Sequence, residues 1–243
     1  MALANDKKLE GKISLITGAG RGIGRATAKL FAEHDSDLVL VSRTKSELEQ
    51  TAKICSEFDV DIMIRPTDLS SSDEIGDLFI DLLGRFPQID ILVNNAGIFH
   101  SGLTENIDLE SFREVMRVNV EAPLLLSQKM LKTVDSENGG CIVNVSSYSG
   151  CVEVEKYPGF GVYDISKYAL WGLTEILAIE CEQKKVRVNQ VSPAGVNTDM
   201  FRRAVGPDAE APLQPEDVAE KILYFASDDS APSTGENLMV PGL

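Results

Sequence analysis

Short apolar segments alternate with longer amphipathic ones along almost the whole chain, and this alternation limits the fold more than any other feature. The apolar segments have the length of β-strands, and helical spacing fills the stretches between them. The strand-like segments are LITG, LVLVS at 38–42, DIMIRP, DILVNNAG at 90–97, CIVNVSS, VRVNQVS and NLMV. The helical stretches lie near 22–33, 45–57, 72–86, 108–133, 162–183 and 215–227. Apolar strands separated by helices predict a doubly wound α/β fold, a parallel sheet with helices on both faces.

The size of the chain is that of one large domain. It has 243 residues, of which 43% are hydrophobic, so it can bury a sizeable core. We find no repeat, low-complexity tract or linker, and the Pro- and polar-rich stretch at 206–216 is too short to separate two domains. We therefore expect residues 1–243 to form a single domain.

Charge excludes several classes of partner. The formal net charge of -15 repels nucleic acid and anionic membranes. The start, MALANDKKLEGK, is polar and charged, so we expect no secretory signal. No apolar run is long enough to span a bilayer, which argues against a membrane protein.

The cysteines indicate a reducing compartment. Four are scattered without metal-ligand spacing, and only two histidines could join them. They are Cys55, Cys141, Cys151 and Cys181. We expect reduced thiols in a cytoplasmic protein, with neither a metal site nor a disulfide framework.

A glycine-rich turn, TGAGRGIG at 17–24, follows the first apolar segment and precedes a helical one. Glycines let the backbone approach a pyrophosphate, and a helix N-terminus supplies unpaired N–H groups with a partial positive charge. The spacing Gly18-x3-Gly22-x-Gly24 differs from the common G-x-G-x-x-G fingerprint, so an ordinary tight turn is the alternative. A nucleoside triphosphatase loop is excluded, because no Lys-Ser or Lys-Thr follows the glycines.

Tyr163 and Lys167 stand four residues apart in a helical stretch. Positions i and i+4 share a helix face, so the ammonium can lie beside the phenol. An opposite charge lowers the pKa of an acid by about 1 to 3 units, and a free tyrosine has a pKa of about 10. The pair therefore predicts a proton donor that works near neutral pH. In unrelated helices the same spacing is a surface tyrosine beside a lysine.

From Lys12 to about Val240 the chain resembles the short-chain dehydrogenase/reductase family, because five motifs of that family occur in order. They are TGAGRGIG at 17–24, NNAG at 94–97, Asn119 in RVNVEAP, Ser147 in IVNVSSYSG, and Tyr163 with Lys167. The resemblance implies a Rossmann-type dinucleotide-binding and catalytic domain that transfers a hydride between a nicotinamide and a CH–OH or C=O group. A non-catalytic NADP(H)-binding sensor or scaffold is the alternative, which the intact set of polar residues disfavours.

The resemblance also implies roles for individual residues. Ser147 would hydrogen-bond the substrate oxygen while Tyr163 gives or takes its proton. Lys167 would lower the pKa of Tyr163 and hold the nicotinamide ribose, and Asn119 would position a water in a proton relay. Taken alone, Ser147 would be a loop residue and Asn119 a residue that kinks a helix. The implied cofactor-binding residues are Gly18, Arg21, Gly22, Ile23, Gly24, Ser42, Arg43, Asp68, Leu69, Asn95, Ala96, Gly97, Tyr163, Lys167, Pro193, Val196 and Thr198. Asp68 would contact the adenine, with a helix N-cap as its alternative role.

Charge after the second strand indicates which dinucleotide is bound. Enzymes that prefer NAD place an acid there for the ribose 2'-hydroxyl. Here the strand ends in Ser42 and Arg43, whereas Asp35 and Asp37 stand at its other end. Arg21 adds a second cation from the glycine turn. Two guanidinium groups around a 2'-phosphate favour NADP(H), and solvated surface arginines are the alternative.

Two departures from the family pattern leave the substrate open. The Pro-Gly pair expected after the sixth strand reads Pro193, Ala194, Gly195. Pro193 and Thr198 nevertheless keep the family interval. The segment from Thr198 to Pro215 is shorter than in many relatives, and the loop CVEVEKYPGFG before the catalytic helix is longer. We expect a reshaped pocket.

The substrate class is ranked by charge. Many similar proteins reduce 3-oxoacyl groups on acyl carrier protein, an acidic partner that needs a basic patch. Lys184 and Lys185 follow the catalytic helix, but Asp135 and Glu137 lie in the loop DSENGG. Because the net charge of -15 steers an acidic carrier poorly, we expect a free small-molecule ketone or secondary alcohol, with the carrier-bound substrate as the alternative.

Two helical stretches carry more apolar residues than one sheet-facing stripe requires. These residues are Val115, Val118, Leu125 and Leu126 in the first, and Tyr168, Trp171, Ile176 and Ile179 in the second. The outer faces of such helices need a cover, which the family supplies by pairing two subunits. We expect a homotetramer or a homodimer, with cover by loops of the same chain as the alternative.

Overall fold

A computed structural model describes residues 7–135 and 137–242. The first six residues, on which part of the expectation about a secretory signal rests, lie outside the described residues, as does Ser136 of the loop DSENGG. The strands are β1 (Ile13–Thr17), β2 (Asp37–Ser42), β3 (Ile62–Pro66), β4 (Ile91–Asn94), β5 (Gly140–Val145), β6 (Val186–Pro193) and β7 (Asn237–Val240). All pair in parallel in one sheet of order β3-β2-β1-β4-β5-β6-β7, as the apolar segments predict.

Helices cover both faces of this sheet. They are α1 (Gly22–Glu33), α2 (Lys45–Cys55), α3 (Ser72–Leu83), α4 (Leu109–Met116), α5 (Ala122–Met130), α6 (Gly161–Glu180), α7 (Asp199–Val205) and α8 (Pro215–Ala226). Adjacent residues of β1 show why the strands are apolar throughout: Ile16 packs into a core with α1 and α8, and Leu15 into a second core with α3 and α5. The doubly wound α/β architecture is confirmed.

Two helices differ from their predicted form. The predicted helix at 108–133 is interrupted by a π-helical turn, Arg117–Glu121, between α4 and α5. Asn119 lies inside this turn, which agrees with its expected effect on the helix. The short helix α7 was not predicted, because its seven residues are too few to display an apolar stripe. It begins after Thr198, whose side chain accepts a hydrogen bond from the Phe201 N–H.

The strand order reverses between β1 and β4, and this switch point is where ligands bind in doubly wound sheets. Thr17 joins the ends of the two strands. Its hydroxyl donates to the Val93 carbonyl at 3.1 Å and accepts the N–H of Ala96 at 3.0 Å. The Asn95 amide donates to the Thr17 carbonyl at 2.8 Å. These bonds bring the glycine turn and the NNAG segment together.

The two apolar helix faces are covered to different extents within the described residues. Val115, Val118 and Leu126 are buried, so the expectation that these three need an external cover is wrong, whereas Leu125 is only partly buried. On α6, by contrast, Ile176 and Ile179 are 46% and 71% exposed. No described helix has both the length and the apolar character to cross a membrane.

Candidate active site

The glycine turn and helix α1 are packed so tightly that the glycines have no room for a side chain. A Cβ atom at Gly24 would lie 2.6 Å from Nδ2 of Asn95 and closer still to the carbonyl oxygen of Gly18. Gly18 has a φ of +64°, and a Cβ there would lie 2.8 Å from the same Asn95 atom. Gly22, with a φ of +53°, faces Thr198. The glycines are therefore required by the local geometry.

A cavity of about 620 Å³ opens beside this turn. It extends from Arg43, after β2, to Tyr163 and Lys167 on α6. Fourteen of the predicted site residues line it: Gly18, Arg21, Gly22, Ile23, Ser42, Arg43, Asp68, Leu69, Asn95, Ala96, Gly97, Tyr163, Lys167 and Thr198. The fold therefore gathers most of the predicted cofactor residues around one space.

Five predicted site residues lie behind or beside the cavity wall. Gly24 packs against the turn, and Asn119 stands behind Gly97. Ser147 contacts the phenol of Tyr163. Pro193 ends β6, and the buried Val196 forms an isolated bridge with Leu213. Gly195, the displaced glycine of the family pattern, packs against the Phe201 ring, where a Cβ would lie 2.6 Å from a ring carbon.

Other residues that line the cavity were not predicted from the sequence. They lie just after strand ends or in the segment around α7. Ile98, Val145 and Ser146 continue the strand ends already identified, and their neighbours in sequence could have indicated them. Asn197, Asp199, Met200 and Arg202 belong to the segment around α7, which was not predicted as a helix.

The Ser147 hydroxyl lies near the phenol of Tyr163, close enough to act on its pKa. Ser147 lies two residues beyond β5, and its hydroxyl also accepts the N–H of Ser149 at 3.1 Å. Tyr163 lies in the first turn of α6, where the ring of Phe99 packs against it at a centroid distance of 5.4 Å. The pair of hydroxyl groups can hold one substrate oxygen between a donor and an orienting group.

Lys167 is almost fully buried, with 3% of its surface exposed. Its ammonium donates to the Val145 carbonyl at 2.9 Å and lies 5.6 Å from the centroid of the Tyr163 ring. A Cβ at Gly97 would lie 3.7 Å from Nζ of Lys167 and 3.4 Å from Oδ1 of Asn119. Position 97 therefore lies in van der Waals contact with both polar groups.

The π-helical turn directs Asn119 at the segment that follows NNAG. Its Oδ1 accepts the N–H of Ile98 at 2.8 Å, and its Nδ2 donates to the Ile98 carbonyl at 3.0 Å. The same Nδ2 lies 3.0 Å from the Ser166 hydroxyl, one residue before Lys167. Asn119 thus fixes the backbone beside Gly97 and the helix that carries the lysine.

The predicted net fall in the pKa of Tyr163 is wrong for this structure. Burial raises the pKa of Tyr163 to about 12; the Ser147 hydrogen bond opposes this rise, and the charge of Asp164 adds to it. Burial also lowers the pKa of Lys167 to about 8. The physical reason is that desolvation penalises the charged form of both groups, and the ammonium faces the ring and a carbonyl.

An acid stands near the end of β2, although none follows that strand directly in sequence. Glu47, in the first turn of α2, lies 3.5 Å from Nη1 of Arg21, and Asp199 of α7 lies 3.4 Å from the same atom. A Cβ at Gly20 would lie 3.0 Å from Oε2 of Glu47 and 3.1 Å from the Ser42 hydroxyl. Arg21 is therefore shared between two carboxylates, which sequence reasoning did not reveal.

Asp68 does not cap helix α3, because Ser71 is the N-cap and accepts the Glu74 N–H. Asp68 instead accepts the Ser70 N–H at 2.9 Å. This backbone hydrogen bond lowers the pKa of Asp68 most, and the nearby charge of Arg43 acts in the same direction. The helix-cap alternative is thus wrong, and Asp68 and Arg43 lie at the same end of the cavity.

The fold and this arrangement define a nicotinamide-dependent oxidoreductase, and the comparisons with known proteins agree. Residues 12–207 match the family model of the short chain dehydrogenases. The chain belongs to the short-chain dehydrogenase/reductase family.

Similar proteins share about a quarter to a third of the sequence over almost the whole chain. A 3-oxoacyl-[acyl-carrier-protein] reductase of Thermotoga maritima is 31% identical over 97% of this chain and 98% of its own. A 3alpha-hydroxysteroid dehydrogenase of Mediterraneibacter gnavus is 34% identical over 96% and 97%. The crystal structure of carveol dehydrogenase from Mycobacterium avium in complex with NAD is 25% identical over 96% and 97%, with a TM-score of 0.87.

Burial of Lys167 predicts a stability that depends on pH. Its pKa falls from 10.5 to about 8 on folding, so the unfolded chain holds the proton more tightly. Below about pH 8 both states are protonated and the folded state carries the full cost of burying the ammonium. Between about pH 8 and 10.5 the folded state releases the proton first, and stability rises with pH.

We expect Lys167→Met to unfold with a free energy about 1 to 3 kcal/mol higher than the parent protein near pH 7, with a smaller difference near pH 9.5. Urea unfolding at both pH values measures this. The matched change Lys132→Met, at an exposed lysine, should show no such pH dependence. A gap between parent and Lys167→Met that stays constant with pH would contradict the prediction.

Proposed function

We propose that the protein is an NADP(H)-dependent oxidoreductase that acts on a small-molecule ketone or secondary alcohol, with Tyr163 as the proton donor or acceptor. The observation that carries this proposal is that Ser147 and Tyr163 lie next to each other beside the buried Lys167, at one end of a cavity that begins at the glycine turn. Proton transfer and dinucleotide binding thus meet in one place.

The glycine turn and cavity fit a dinucleotide. Gly18 and Gly22 line the cavity at the start of α1, where the first backbone N–H groups of the helix would bind a pyrophosphate. Arg43 and Asp68 would hold the adenosine end, and Tyr163 and Lys167 the nicotinamide end. When bound, the nicotinamide supplies or accepts the hydride.

Tyr163 keeps its proton near neutral pH, as a proton donor for reduction must. With a pKa of about 12 the phenol keeps its proton and can donate it to a substrate oxygen that Ser147 orients. Lys167, with a pKa of about 8, carries most of its charge at neutral pH and stabilises the negative charge that develops when the proton leaves. Asn119 holds the backbone next to this pair.

Tyr163→Phe should abolish nearly all turnover and leave the dissociation constant for NADPH within about twofold, because only the transferable proton is lost. Ser147→Ala should lower kcat by about 10²- to 10³-fold if its hydroxyl acts as an oxyanion donor. Initial rates at a confirmed substrate, followed by NADPH absorbance, measure both. Tyr224→Phe, at an exposed tyrosine of α8, is the matched control and should keep the parental rate. Near-normal turnover by Tyr163→Phe would disprove the assignment.

Preference for NADP(H) is supported by charge after β2. Arg43 lies at the cavity and approaches Asp68, and Ser42 lines the same wall. No hydrogen-bond partner for the buried Ser42 hydroxyl occurs within 7–135 and 137–242. Glu47 opposes the preference, since its carboxylate stands beside Arg21 and Ser42. Carveol dehydrogenase, which has NAD in its crystal structure, shows that this fold also accepts the other dinucleotide.

Arg43→Ala should weaken NADPH binding by about tenfold to hundredfold and change NADH binding little, because a charged hydrogen bond contributes about 1.5 to 3 kcal/mol. Glu47→Gln should tighten NADPH selectively by removing a repelling charge. Fluorescence titration of both cofactors measures the two effects, with the exposed Arg85→Ala as the matched control. Equal dissociation constants for NADPH and NADH in the unmodified protein would refute the preference.

A second substrate class has specific support. The relative from Thermotoga maritima is a 3-oxoacyl-[acyl-carrier-protein] reductase. Against that reading, the net charge is -15, and the exposed Glu153 and Glu155 lie in the loop before α6. An assay panel that includes free cyclic and linear ketones together with a 3-oxoacyl carrier substrate separates the two, and we expect the free ketones to be turned over faster.

The cysteines support a cytoplasmic location. All four are free and buried. Burial raises the pKa of Cys55 and of Cys141 to about 11, which keeps these thiols neutral and unreactive. A compartment that maintains reduced thiols suits such a chain.

Helix α6 supports assembly into a homodimer or homotetramer. Ile165, Ile176 and Ile179 are 48%, 46% and 71% exposed, and Tyr168 and Gly172 lie between them at helical spacing. These positions form one apolar stripe on the outside of the helix. A second copy of the same helix would cover it.

Ile179→Glu should shift the protein toward monomer at micromolar concentration, because a carboxylate that is buried in an apolar helix interface loses its hydration. Ile80→Glu is the matched control, since Ile80 on α3 is also 71% exposed. Light scattering gives the mass of parent and variants. A monomeric parent protein would overturn the proposed assembly.

A further inference from the structure

The segment from Ser147 to Cys151, here called the serine loop, is held by one lysine. After Ser147 the chain makes a single 3₁₀ turn, Tyr148–Gly150, which leaves backbone carbonyls without partners in regular structure. Nζ of Lys156 donates to the carbonyl oxygens of Tyr148 at 3.1 Å, Ser149 at 2.8 Å and Cys151 at 2.8 Å. Three carbonyl dipoles thus converge on one ammonium.

Helix α6 completes the surroundings of this ammonium. Nζ of Lys156 lies 4.9 Å from the centroid of the Tyr168 ring, and the Tyr168 hydroxyl donates to the Cys151 carbonyl at 2.7 Å. Asp164 lies close enough to the Ser149 side chain and to Lys156 for both to act on its carboxylate. Asp164 and Tyr168 belong to the same helix as Tyr163. The lysine therefore links the loop that carries Ser147 to the helix that carries the proton donor.

We propose that Lys156 is a positioning residue of the reaction: its ammonium fixes the serine loop against α6 and so holds the Ser147 hydroxyl on the Tyr163 phenol. The inference rests on the proposed function for the identity of the reaction. Its physical basis is that charge-assisted hydrogen bonds are stronger than neutral ones, and the single ammonium of Lys156 donates three of them. An exposed lysine without such partners would not hold one geometry.

The role of Lys156 is separable from cofactor binding. The described residues that line the cavity beside the glycine turn include Ser146 and Tyr163 but none from 148–156. Removing the ammonium should therefore disturb the alignment of Ser147 with Tyr163 and leave the dinucleotide site intact. A general loss of folding would affect both.

Lys156→Met keeps most of the side-chain stem and removes the donor. We expect kcat to fall by about tenfold to hundredfold, because a misplaced orienting group costs rate of this order. The dissociation constant for NADPH should stay within about twofold of the parent. Lys156→Arg, which keeps the charge, the donors and the contact with an aromatic ring, should recover kcat to within about fivefold. Lys132→Met removes the same charge at an exposed site after α5 and should keep the parental kcat.

Chemical rescue gives a second measurement. Lys156→Ala should regain activity in a saturable manner when ethylammonium is added, whereas Lys132→Ala and the parent protein should not respond. A kcat of Lys156→Met within about twofold of the parent, or an equal loss of kcat and NADPH binding, would overturn the positioning role.

Hydrogen exchange tests the same role without a substrate. The N–H groups of Gly150 and Cys151 donate to the carbonyls of Ser147 and Tyr148 at 2.9 and 3.0 Å. In Lys156→Met we expect the exchange of these two amides to accelerate by about tenfold or more, with the amides of β5 unchanged. Unchanged exchange in the serine loop would overturn the inference. By contrast, a parent protein that reduces no ketone, with accelerated exchange in the variant, would refute the proposed function and leave the clamp standing.

Discussion

The close contact between the glycine turn and the NNAG segment is the constraint on which the site depends. Nδ2 of Asn95 lies within van der Waals distance of the positions that side chains at Gly18 and Gly24 would fill, and it donates to the Thr17 carbonyl. A methyl group at Gly24 would push α1 away from the sheet. The N-terminus of that helix would then no longer face the cavity. The hydrogen bonds that join the ends of β1 and β4 at the switch point would also be disturbed.

Much of the fold follows from patterns that are local in sequence. The β-strands are readable because each is apolar on both faces, as Leu15 and Ile16 show by packing into opposite cores. The resemblance to the family, rather than a local pattern, predicted that Ser147 and Tyr163 act together. Helix α7 is not readable, because a helix of seven residues that caps through Thr198 shows no periodicity of its own.

Electrostatic features were the least accessible to sequence reasoning. The carboxylate partners of Arg21 are 26 and 178 residues away, so its shared state depends on where α2 and α7 pack. Lys156 reads as an ordinary loop lysine until the carbonyls of the serine loop are placed around it. Burial is the main cause of the raised pKa of Tyr163, and the sequence does not show how deeply each residue is buried. Charges at a site assembled from distant elements require the folded geometry.

Desolvation acts on Tyr163 and Lys167 in opposite directions, and the two effects have different consequences for the reaction. It raises the pKa of the Tyr163 phenol to about 12 and lowers the pKa of the Lys167 ammonium to about 8. In the proposed reaction the phenol keeps its proton at neutral pH until a substrate oxygen takes it, and a charged Lys167 would stabilise the phenolate that is left. The proposed reduction would therefore be favoured in the pH range where both groups keep their protons, and the burial that lowers the pKa of Lys167 would set the upper limit of that range.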